Sequence, residues 1–503
     1  MLLKKLITYA KLTPLSDIKG ETLVNHAVSS SDAVREGDVF FAIDGEKYDG
    51  NDYVREAIKN GACAVVTQRG RGRELLELGA YVLEASDVRS SLAYALDMQY
   101  GSPSASMKYI AVTGTNGKTT ISHMLCRILC RCGNSCGLIG TCGSFIDGEP
   151  LTGCDVCSTV GMTTPEPEEL YCILSEMRRR GAKYVILEAS SHASVQGRLA
   201  PIRFCVSIFS NLTPEHLDFH KDMENYFCAK REIIRRSETA IVNADDIYGR
   251  RLISEKACQR IVSVSTTDFG CTYFASNVKL HGCDGISFLL CGEEKNMDCF
   301  LPIVGEFNVC NAMLAASAAR SLGVPRACIS AALSGFTGVA GRMQRVSGEG
   351  IRAKIFIDYA HTPDALMRLL ATASQMKGDS GRILLLFGCG GDRDKSKRPK
   401  MGEIATSYAD LVIVTSDNPR GESPQDIISD IVHGIPNGRK NYVVIPDRRE
   451  AIRYVLKVAH KDDVVLLAGK GHEKYEITNN VKKPFDEEYE IRMAARASLG
   501  TEF

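Results

Sequence analysis

Short apolar runs alternate with longer amphipathic stretches through most of the chain after residue 108. The runs are rich in β-branched residues and bounded by turn-forming residues, which is typical of buried strands. They are Tyr109–Thr113, Tyr184–Leu187, Cys205–Phe209 and Thr239–Val242, then Lys354–Ile357, Arg382–Phe387, Leu411–Thr415, Tyr442–Ile445 and Val464–Leu467. The stretches 118–131 and 166–180 are predicted helices. This alternation predicts an α/β fold of mainly parallel βαβ units.

A further helix is predicted after Asp447, which is a suitable N-cap residue. The apolar residues that follow lie on one helical face, and they are Ala451, Ile452, Val455, Leu456 and Ala459. Such a stripe is typical of a helix packed against a sheet.

Two stretches of small residues divide the chain. Residues 101–106 read Gly-Ser-Pro-Ser-Ala-Ser, and residues 335–350 contain five glycines. This composition favours linkers over packed elements. At about 150 residues per domain, a chain of 503 residues predicts three domains, at 1–102, 103–340 and 341–503.

The charge balance excludes several classes of protein. Lys and Arg number 61, Asp and Glu number 61, and the formal net charge is zero. The chain therefore lacks the broad positive field of a nucleic-acid or anionic-membrane binder. No apolar run approaches the roughly 20 residues that span a bilayer, and none near the N-terminus has the length of a secretory signal. We expect a cytoplasmic protein with no nucleic-acid or membrane partner.

The distribution of the cysteines also favours a cytoplasmic location. The 19 cysteines are scattered through apolar stretches, which favours free thiols in a reducing environment over disulfides. Cys154 and Cys157 alone have ligand-like spacing, and without a second such pair a structural zinc site is a less favoured alternative.

The strongest chemical signal follows the first of the nine apolar runs. The sequence Gly114-Thr115-Asn116-Gly117-Lys118-Thr119-Thr120 joins that run to the helix predicted over 118–131. Glycines let backbone N–H groups turn onto phosphate oxygens, Lys118 adds a positive charge, and the Thr119 hydroxyl can complete a Mg²⁺ shell. The pattern G-x-x-G-K-T is shorter than the general phosphate loop, since Val112 stands at the position of its first glycine. An ATP or GTP site is favoured over a plain glycine-rich turn.

Two further polar residues are predicted beside this loop. Glu188 ends an apolar run, and His216 follows the run Cys205–Phe209. A carboxylate and an imidazole at strand ends are reasonable magnesium ligands, directly or through water. For either residue alone, a polar side chain facing solvent is the alternative. His216 and His220 are also four residues apart, so a zinc site on a helix is a less favoured interpretation.

Three motifs in the last third of the chain each follow an apolar run. They are Gly388–Asp394, Ser416–Arg420 and Gly469–Glu473. Since ligands bind beyond the carboxyl ends of parallel strands, the three motifs should meet on one rim of the sheet. Arg393 and Arg420 offer planar forks suited to a carboxylate, and Glu473 offers the charge suited to an ammonium. Together they predict a receptor for a zwitterion.

The basic run Lys395–Lys400 follows the first of these motifs. It is short and two aspartates precede it, so a solvated loop is favoured over a nucleic-acid contact.

A set of motifs in a fixed order identifies a family. Besides Gly114–Thr120, the set comprises Thr163–Glu166, Glu188–His192 with Gln196 and Arg198, Asn211–His220, Ala229–Lys230, Gly305–Ala312, Gly341–Gln344, Asp358–Asp364 and the three rim motifs. Over nearly its whole length the chain resembles the Mur ligases, and within them the branch that adds diaminopimelate.

The resemblance implies an N-terminal domain for a uridine nucleotide, a central ATPase domain and a C-terminal Rossmann-like domain that receives an amino acid. The implied contacts to the UDP-sugar peptide are Ser31, Thr163, Thr164, Ser190, Gln196 and Arg198. Asn308, Arg342 and Asp358 would join Gly114–Thr120 in holding ATP. The implied amino-acid site is Arg393, Asp417, Asn418, Pro419, Arg420, Gly469 and Glu473.

The implied catalytic residues are Lys118, Glu188, His216 and Lys230, with Thr119, Glu188 and His216 serving Mg²⁺. Lys230 matches the lysine that becomes carbamylated (N6-carboxylysine) in the family, a change from +1 to −1 that would let it hold a second metal ion. The residue pattern by itself gives no reason to choose Lys230 over any lysine on a solvated helix.

The resemblance also implies the reaction. ATP would drive addition of meso-diaminopimelate to UDP-N-acetylmuramoyl-L-alanyl-D-glutamate through an acyl phosphate, in peptidoglycan precursor synthesis, and we expect a monomer whose domains close over that intermediate. In the family an arginine at the position of Arg420 accompanies diaminopimelate, whose distal carboxylate it would neutralise. The alternatives are the same ligation with L-lysine or another amino acid, a folylpolyglutamate-type ligase, and a P-loop NTPase motor, which would leave Arg393, Arg420 and Glu473 without a role.

Overall fold

The computed structural model describes residues 1–45, 48–152, 162–292, 295–378 and 380–497. By its internal contacts the chain forms two compact units. Unit 1 consists of Met1–Ala275, Leu290–Met297 and Cys310–Ala332, and unit 2 consists of Ser276–Leu289, Asp298–Val309 and Leu333–Phe503. The domain boundaries predicted after residues 102 and 340 stay a prediction.

Helices and strands alternate along the chain. The helices are α1 Leu3–Tyr9, α2 Val54–Lys59, α3 Val88–Gln99, α4 Lys118–Arg131, α5 Pro167–Arg179, α6 Ser191–Val195, α7 Leu217–His220, α8 Met223–Arg235, α9 Ile247–Ser254, α10 Phe307–Ser321, α11 Arg326–Ser334, α12 Pro363–Met376, α13 Lys397–Tyr408, α14 Pro424–His433, α15 Arg448–Val458 and α16 Glu487–Ala497.

The strands are mostly short and apolar. They are β1 Thr13–Pro14, β2 Ala27–Val28, β3 Val39–Phe41, β4 Ala64–Gln68, β5 Tyr81–Ala85, β6 Lys108–Thr113, β7 Cys136–Gly140, β8 Gly143–Ile146, β9 Glu149–Pro150, β10 Tyr184–Glu188, β11 Phe204–Phe209, β12 Ser237–Asn243, β13 Arg260–Ser265, β14 Tyr273–Leu280, β15 Ile286–Gly292, β16 Met297–Leu301, β17 Gln344–Val346, β18 Lys354–Asp358, β19 Ile383–Phe387, β20 Leu411–Val414, β21 Tyr442–Val444, β22 Val464–Ala468, β23 Tyr475–Thr478 and β24 Val481–Pro484.

Unit 1 contains two sheets. The N-terminal sheet has the order β1-β5-β4-β3-β2 and is parallel except for β1. In the central sheet β13, β12, β11, β6, β10 and β7 lie side by side and parallel, followed by antiparallel β8 and β9. The middle strands are buried along almost their whole length, which explains why they appear in the sequence as continuous apolar runs. The loops after β11, β6, β10 and β7 therefore meet at one edge.

Unit 2 contains a doubly wound sheet with the order β17-β18-β22-β19-β20-β21, parallel except for β17. One buried cluster joins α12, α13 and α14 to one face, and another joins α15 and α16 to the other. The predicted helix after Asp447 is α15, where the Asp447 side chain accepts a hydrogen bond from the Glu450 amide at 2.9 Å. The α/β prediction is confirmed.

Two further observations concern the sequence predictions. Within the described ranges no helix is long and apolar enough to cross a membrane. The cysteines of the described residues are free thiols. Cys154 and Cys157 lie outside the described residues.

Candidate active site

The glycine-rich loop joins β6 to α4, where the sequence predicts it. α4 begins at Lys118, directly after Gly117, whose φ of +86° lies in the left-handed region. A Cβ on Gly117 would lie 2.5 Å from Asn311 Oδ1, and a Cβ on Gly114 would collide with Ser210 Oγ. Both positions therefore require glycine. The backbone amides at the start of α4 form the kind of helix N-terminus that binds phosphate.

The side chains of the loop are tightly held. Lys118 Nζ donates to the carbonyl oxygens of Gly114 and Thr115 at 3.0 and 2.8 Å. The backbone N–H of Asn116 donates to Asn211 Oδ1, in the loop after β11, at 2.9 Å. The ammonium thus lies over the loop, where it can meet the outer phosphates of a nucleotide.

Glu188 lies at the end of β10, beside this loop, and is fully buried. Its Oε2 accepts hydrogen bonds from the hydroxyls of Thr119 and Thr141, each at 3.0 Å, and its Oε1 accepts from the Thr141 amide at 3.2 Å. A Cβ on Gly140 would collide with the carboxylate, so glycine leaves it room. The solvent-facing alternative for Glu188 is wrong. A buried carboxylate beside the Thr119 hydroxyl is an oxygen donor set that fits Mg²⁺.

His216 immediately precedes α7, with φ of +56°. Its ring centroid lies 4.8 Å from that of His192. The His216 side chain is 47% exposed, so it faces solvent in part. Its partial desolvation lowers the pKa of His216, Glu215 opposes that shift, and the charge of Lys118 adds to it. The neutral imidazole is the form that binds metals, and the role of His216 stays a prediction.

The zinc alternative has no support among the described residues. His220 is buried, with its Nε2 2.8 Å from Ser191 Oγ. In the part of the chain that the structure describes, no three His, Cys, Asp or Glu side chains are grouped to hold a metal ion.

Lys230 is not a solvated helix lysine. Its side chain lies on the buried face of α8, and Nζ donates to the Gly114 carbonyl at 2.8 Å and lies 4.7 Å from the centroid of the Tyr226 ring. Burial lowers the pKa of Lys230 far below its usual range, and the nearby Lys118 charge adds to the shift. The sequence carries a signal for this burial, because Tyr226, Lys230 and Ile233 share one apolar helical stripe.

The residues predicted to contact a UDP-sugar peptide form one cluster, with one exception. Thr164 Oγ1 donates to the Glu188 carbonyl at 2.7 Å and accepts from the Ser190 amide at 3.1 Å. Arg198 is buried, and its guanidinium donates to the Thr164 carbonyl at 2.7 Å and to Gln196 Oε1 at 3.0 Å.

Two other predicted contacts complete this picture. Thr163 Oγ1 lies 3.2 Å from Thr141 Oγ1, which places it beside the Glu188 carboxylate. Ser31 lies instead in the N-terminal sheet region and donates to Glu56 Oε2 at 2.8 Å. Among the described residues, no hydrogen bond joins Ser31 to the cluster.

The other predicted nucleotide ligands belong to unit 2. Asp358 ends β18 and accepts hydrogen bonds from two backbone amides at 2.7 and 2.8 Å. Burial raises its pKa, and the Arg342 charge opposes that shift. The Arg342 guanidinium lies 4.8 Å from the centroid of the Tyr359 ring. Asn308 in α10 donates to the Val304 carbonyl at 2.7 Å. The Arg342 charge thus acts on the Asp358 carboxylate at the end of β18.

The three rim motifs meet as predicted, since they follow the neighbouring strands β22, β19 and β20. Asn418 is buried, and its Nδ2 donates to Glu473 Oε2 at 2.7 Å. A Cβ on Gly469, whose φ is +112°, would collide with Asp417 Oδ2, and a Cβ on Gly391 would collide with the Pro419 carbonyl. The glycines therefore let the loops approach closely.

Arg420 lies in the rim motif that follows β20 and is half-buried. Its φ is +53°, and its amide donates to the Ile477 carbonyl in β23 at 3.0 Å. One guanidinium nitrogen donates to the Gly391 carbonyl at 2.8 Å. Burial raises the pKa of Glu473, the Asp417 charge adds to the shift, and the Lys470 charge opposes it. A cation and an anion are thereby held on the same rim.

Two arginines of this region have contrasting surroundings. Arg393 is exposed, and its guanidinium makes no hydrogen bond or ion pair with any described residue. Arg398 is fully buried and bonds to Glu422 and Asp430 at 2.9 Å each. The solvated-loop interpretation of Lys395–Lys400 is therefore wrong for Arg398, which lies in α13 and ties it to the segment after Arg420.

Sequence reasoning missed one buried cation. Lys470 has no exposed surface, and its Nζ donates to Asn418 Oδ1 at 3.0 Å and to the Tyr475 carbonyl at 2.9 Å. A lysine between two glycines, directly after a buried strand, is the signal that could have indicated it.

The comparisons with known proteins agree with this arrangement. Family descriptions match residues 27–100 (Mur ligase family, catalytic domain), 112–319 (Mur ligase middle domain) and 341–471 (Mur ligase, glutamate ligase domain). A UDP-N-acetylmuramoyl-L-alanyl-D-glutamate–2,6-diaminopimelate ligase of Caldanaerobacter subterraneus subsp. tengcongensis is 42% identical over 451 residues, which are 89% of this chain and 90% of that protein. A protein of the same name from Clostridioides difficile is 39% identical over 476 residues, 94% and 95% of the two chains.

A solved structure that carries this name is also similar. It has a TM-score of 0.69 and 31% identity, and the match covers 100% of both chains. The chain therefore belongs to the Mur ligase family of ATP-dependent ligases.

Proposed function

We propose that this chain joins meso-diaminopimelate to UDP-N-acetylmuramoyl-L-alanyl-D-glutamate at the expense of ATP, in the synthesis of peptidoglycan precursors. The observation that carries the proposal is the rim of the unit 2 sheet, where Arg420 and Glu473 present opposite charges beside the buried Asn418. An amino acid with an additional carboxylate is the complement of such a rim. The names of the similar proteins support the same substrate.

The first half of the reaction is assigned to the loop after β6. The γ-carboxylate of the D-glutamyl residue attacks the γ-phosphorus of ATP, ADP leaves, and an acyl phosphate forms. Lys118 neutralises charge on the transferring oxygens, and the amides at the start of α4 bind the phosphates. Thr119, Glu188 and His216 are the residues that would hold Mg²⁺, which supplies charge neutralisation when bound.

Lys230 is proposed as a site of carbamylation. Its lowered pKa favours the neutral amine, whose lone pair attacks the carbon of CO₂ while the nitrogen loses a proton. The product carries a carboxylate in place of an ammonium beside the phosphate loop. That carboxylate would be a further oxygen ligand for a metal ion.

The second half of the reaction is assigned to the rim of unit 2. The distal carboxylate of diaminopimelate pairs with Arg420, and an ammonium of the substrate pairs with Glu473. The reacting amine, in its neutral form, attacks the acyl carbon and inorganic phosphate leaves, with orientation providing much of the acceleration. Arg393, Asp417, Pro419 and Gly469 complete the proposed amino-acid site.

The remaining assignments belong to the same proposal. Thr163, Thr164, Ser190, Gln196 and Arg198 bind the UDP-sugar peptide together with Ser31, and Asn308, Arg342 and Asp358 join the loop in binding ATP. We propose domain boundaries after residues 102 and 340, and a monomer that acts in the cytoplasm.

The test is identification of the product by mass spectrometry. The protein is incubated with ATP, the UDP-linked dipeptide and either meso-diaminopimelate or L-lysine. We expect the diaminopimelate tripeptide, and phosphate release that requires both co-substrates. Formation of the lysine-containing tripeptide instead would show that the amino-acid substrate is L-lysine and not meso-diaminopimelate. Phosphate release without either co-substrate would favour a motor, and product formation from a folate in place of the dipeptide would favour a folylpolyglutamate-type ligase.

A further inference from the structure

We propose that Lys470 is a positioning residue that orients the Glu473 carboxylate by way of the Asn418 amide, and so determines how an ammonium of the incoming amino acid is bound. The proposal rests on the proposed function of the unit 2 rim. Lys470, Asn418 and Glu473 come from two loops, those after β22 and β20.

The contacts of Asn418 determine which way its amide points. Its Oδ1 accepts from Lys470 Nζ at 3.0 Å and from the Ile477 amide at 3.0 Å. A lysine ammonium and a backbone N–H are donors only, so the side-chain oxygen has to face them. The Asn418 NH₂ group is then directed to Glu473 Oε2, which accepts from it at 2.7 Å.

We call the contacts from Lys470 through Asn418 to Glu473 the relay, and Lys470 also binds the segment beside it. Its Nζ also donates to the Tyr475 carbonyl at 2.9 Å and lies 3.8 Å from Asp417 Oδ1. Tyr475 begins the strand whose residue Ile477 binds Asn418, and the Tyr475 hydroxyl lies 3.4 Å from Glu473 Oε1. Lys470 thus acts on Glu473 through the Asn418 amide and through β23.

Burial makes the arrangement costly to change. Lys470 is completely buried and Asn418 is 3% exposed. If Lys470 were replaced by an apolar residue, Asn418 Oδ1 would lose one of its two donors, and rotation of the amide by half a turn would become possible. The amide oxygen would then face the Glu473 carboxylate, which repels it. The carboxylate would lose its orientation and its ability to bind an ammonium.

The test is the variant Lys470→Met, whose side chain has a similar length and no charge. We expect the KM for meso-diaminopimelate to rise about tenfold to hundredfold, the range for losing a hydrogen bond to a charged group. The KM for ATP and the circular dichroism spectrum should stay at the wild-type values. Lys474→Met is the matched control, since Lys474 is exposed in the same segment, and it should leave all constants unchanged.

A pH profile separates positioning from a merely structural role. The charged or titratable groups around Glu473 are Asp417, Lys470, Arg420, Tyr475 and Tyr359. Removing the Lys470 cation disfavours the Glu473 carboxylate, so the acid limb of kcat/KM for the amino acid should move to higher pH. An unchanged acid limb in a folded variant would overturn the proposal.

A double-variant cycle provides the second measurement, with Lys470→Gln used in it if Lys470→Met does not fold. Asn418→Ala should raise the same KM, and the double variant should be no worse than the worse single variant, because the two residues act in series. Additive effects would overturn the relay. If the wild type does not use meso-diaminopimelate at all, the proposed function fails, whereas normal wild-type activity with an unaffected Lys470 variant rejects the relay alone.

Discussion

Replacement of Arg420 by alanine tests the assignment of the amino-acid substrate. One guanidinium nitrogen of Arg420 is used internally, by the carbonyls of Gly391 and Asn418 at 2.8 and 3.4 Å. Among the described residues, none accepts from its other two nitrogens, which can make the paired contacts that a carboxylate prefers. The substitution leaves the backbone strain unchanged, because φ of +53° disfavours arginine and alanine alike.

The magnitude follows from the half-buried position of the side chain. A hydrogen bond to a charged group contributes about 1.5–3 kcal/mol, and each 1.4 kcal/mol corresponds to a factor of about ten. The kcat/KM for meso-diaminopimelate should therefore fall about 10- to 150-fold. L-lysine has no distal carboxylate, so its kcat/KM should fall much less and the preference for diaminopimelate should narrow by a similar factor. The KM for ATP should not change.

The assay is phosphate release measured with each amino acid in turn, for the wild type, Arg420→Ala and a control. Arg439→Ala is a suitable control because Arg439 is exposed in the same unit and its guanidinium makes no hydrogen bond or ion pair with any described residue. An unchanged ratio of kcat/KM between the two amino acids in Arg420→Ala would refute the assignment of Arg420 to the distal carboxylate.

Three other substitutions test separate parts of the structure. Arg398→Met leaves the Glu422 carboxylate without its buried partner. Unfolding with urea should show a free energy of unfolding that is lower by about 3 kcal/mol. A decrease of less than about 1 kcal/mol would contradict this prediction. Gly117→Ala should raise the KM for ATP about tenfold or more. The control is Gly133→Ala, where φ is +76° and an added Cβ has no atom within 4 Å, so it should lower only the stability. Equal KM values for ATP in the two variants would count against the loop geometry. Lys230→Met should abolish ligation and yet raise the free energy of unfolding at pH 7 in CO₂-free buffer. The lowered pKa of Lys230 means that the folded state binds fewer protons than the unfolded state, so the wild-type lysine destabilises the fold at pH 7. This destabilisation becomes smaller as the pH rises. A variant that is less stable than the wild type at pH 7 would refute this reasoning.

The parts of the fold that follow from local pattern were predictable. Strands buried on both faces, such as β6 and β10, require continuous apolar runs, and α4 begins at Lys118 as the glycine before it indicates. The convergence of the rim motifs was also predictable, since parallel strands have their carboxyl ends at one edge. What the sequence does not contain is strand order: β22, late in the chain, lies between β18 and β19.

Like strand order, the burial of individual side chains could not be predicted from the sequence. Arg398 belongs to a basic run that looks solvated, but the packing of α13 against α14 encloses it between carboxylates. Thr141 follows a short glycine-containing strand with no motif around it, and it contacts Glu188 only because β7 lies beside β10. Contacts of this kind depend on neighbours that are distant in the chain, so periodicity carries no record of them.

Lys230 and Lys470 show how environment separates two buried lysines that look alike in the sequence. The Lys230 ammonium has one carbonyl acceptor and an aromatic ring, and the charge of Lys118 is nearby. Lys470 has a carbonyl, an amide oxygen and the Asp417 carboxylate within 3.8 Å. A buried amine with few acceptors and a like charge close by is stabilised in its neutral form, the form that reacts with an electrophile such as CO₂. A buried lysine with three acceptors around its Nζ directs its donors to them and so fixes the groups around it. For this reason we propose covalent chemistry at Lys230 and an orienting role in the amino-acid site for Lys470.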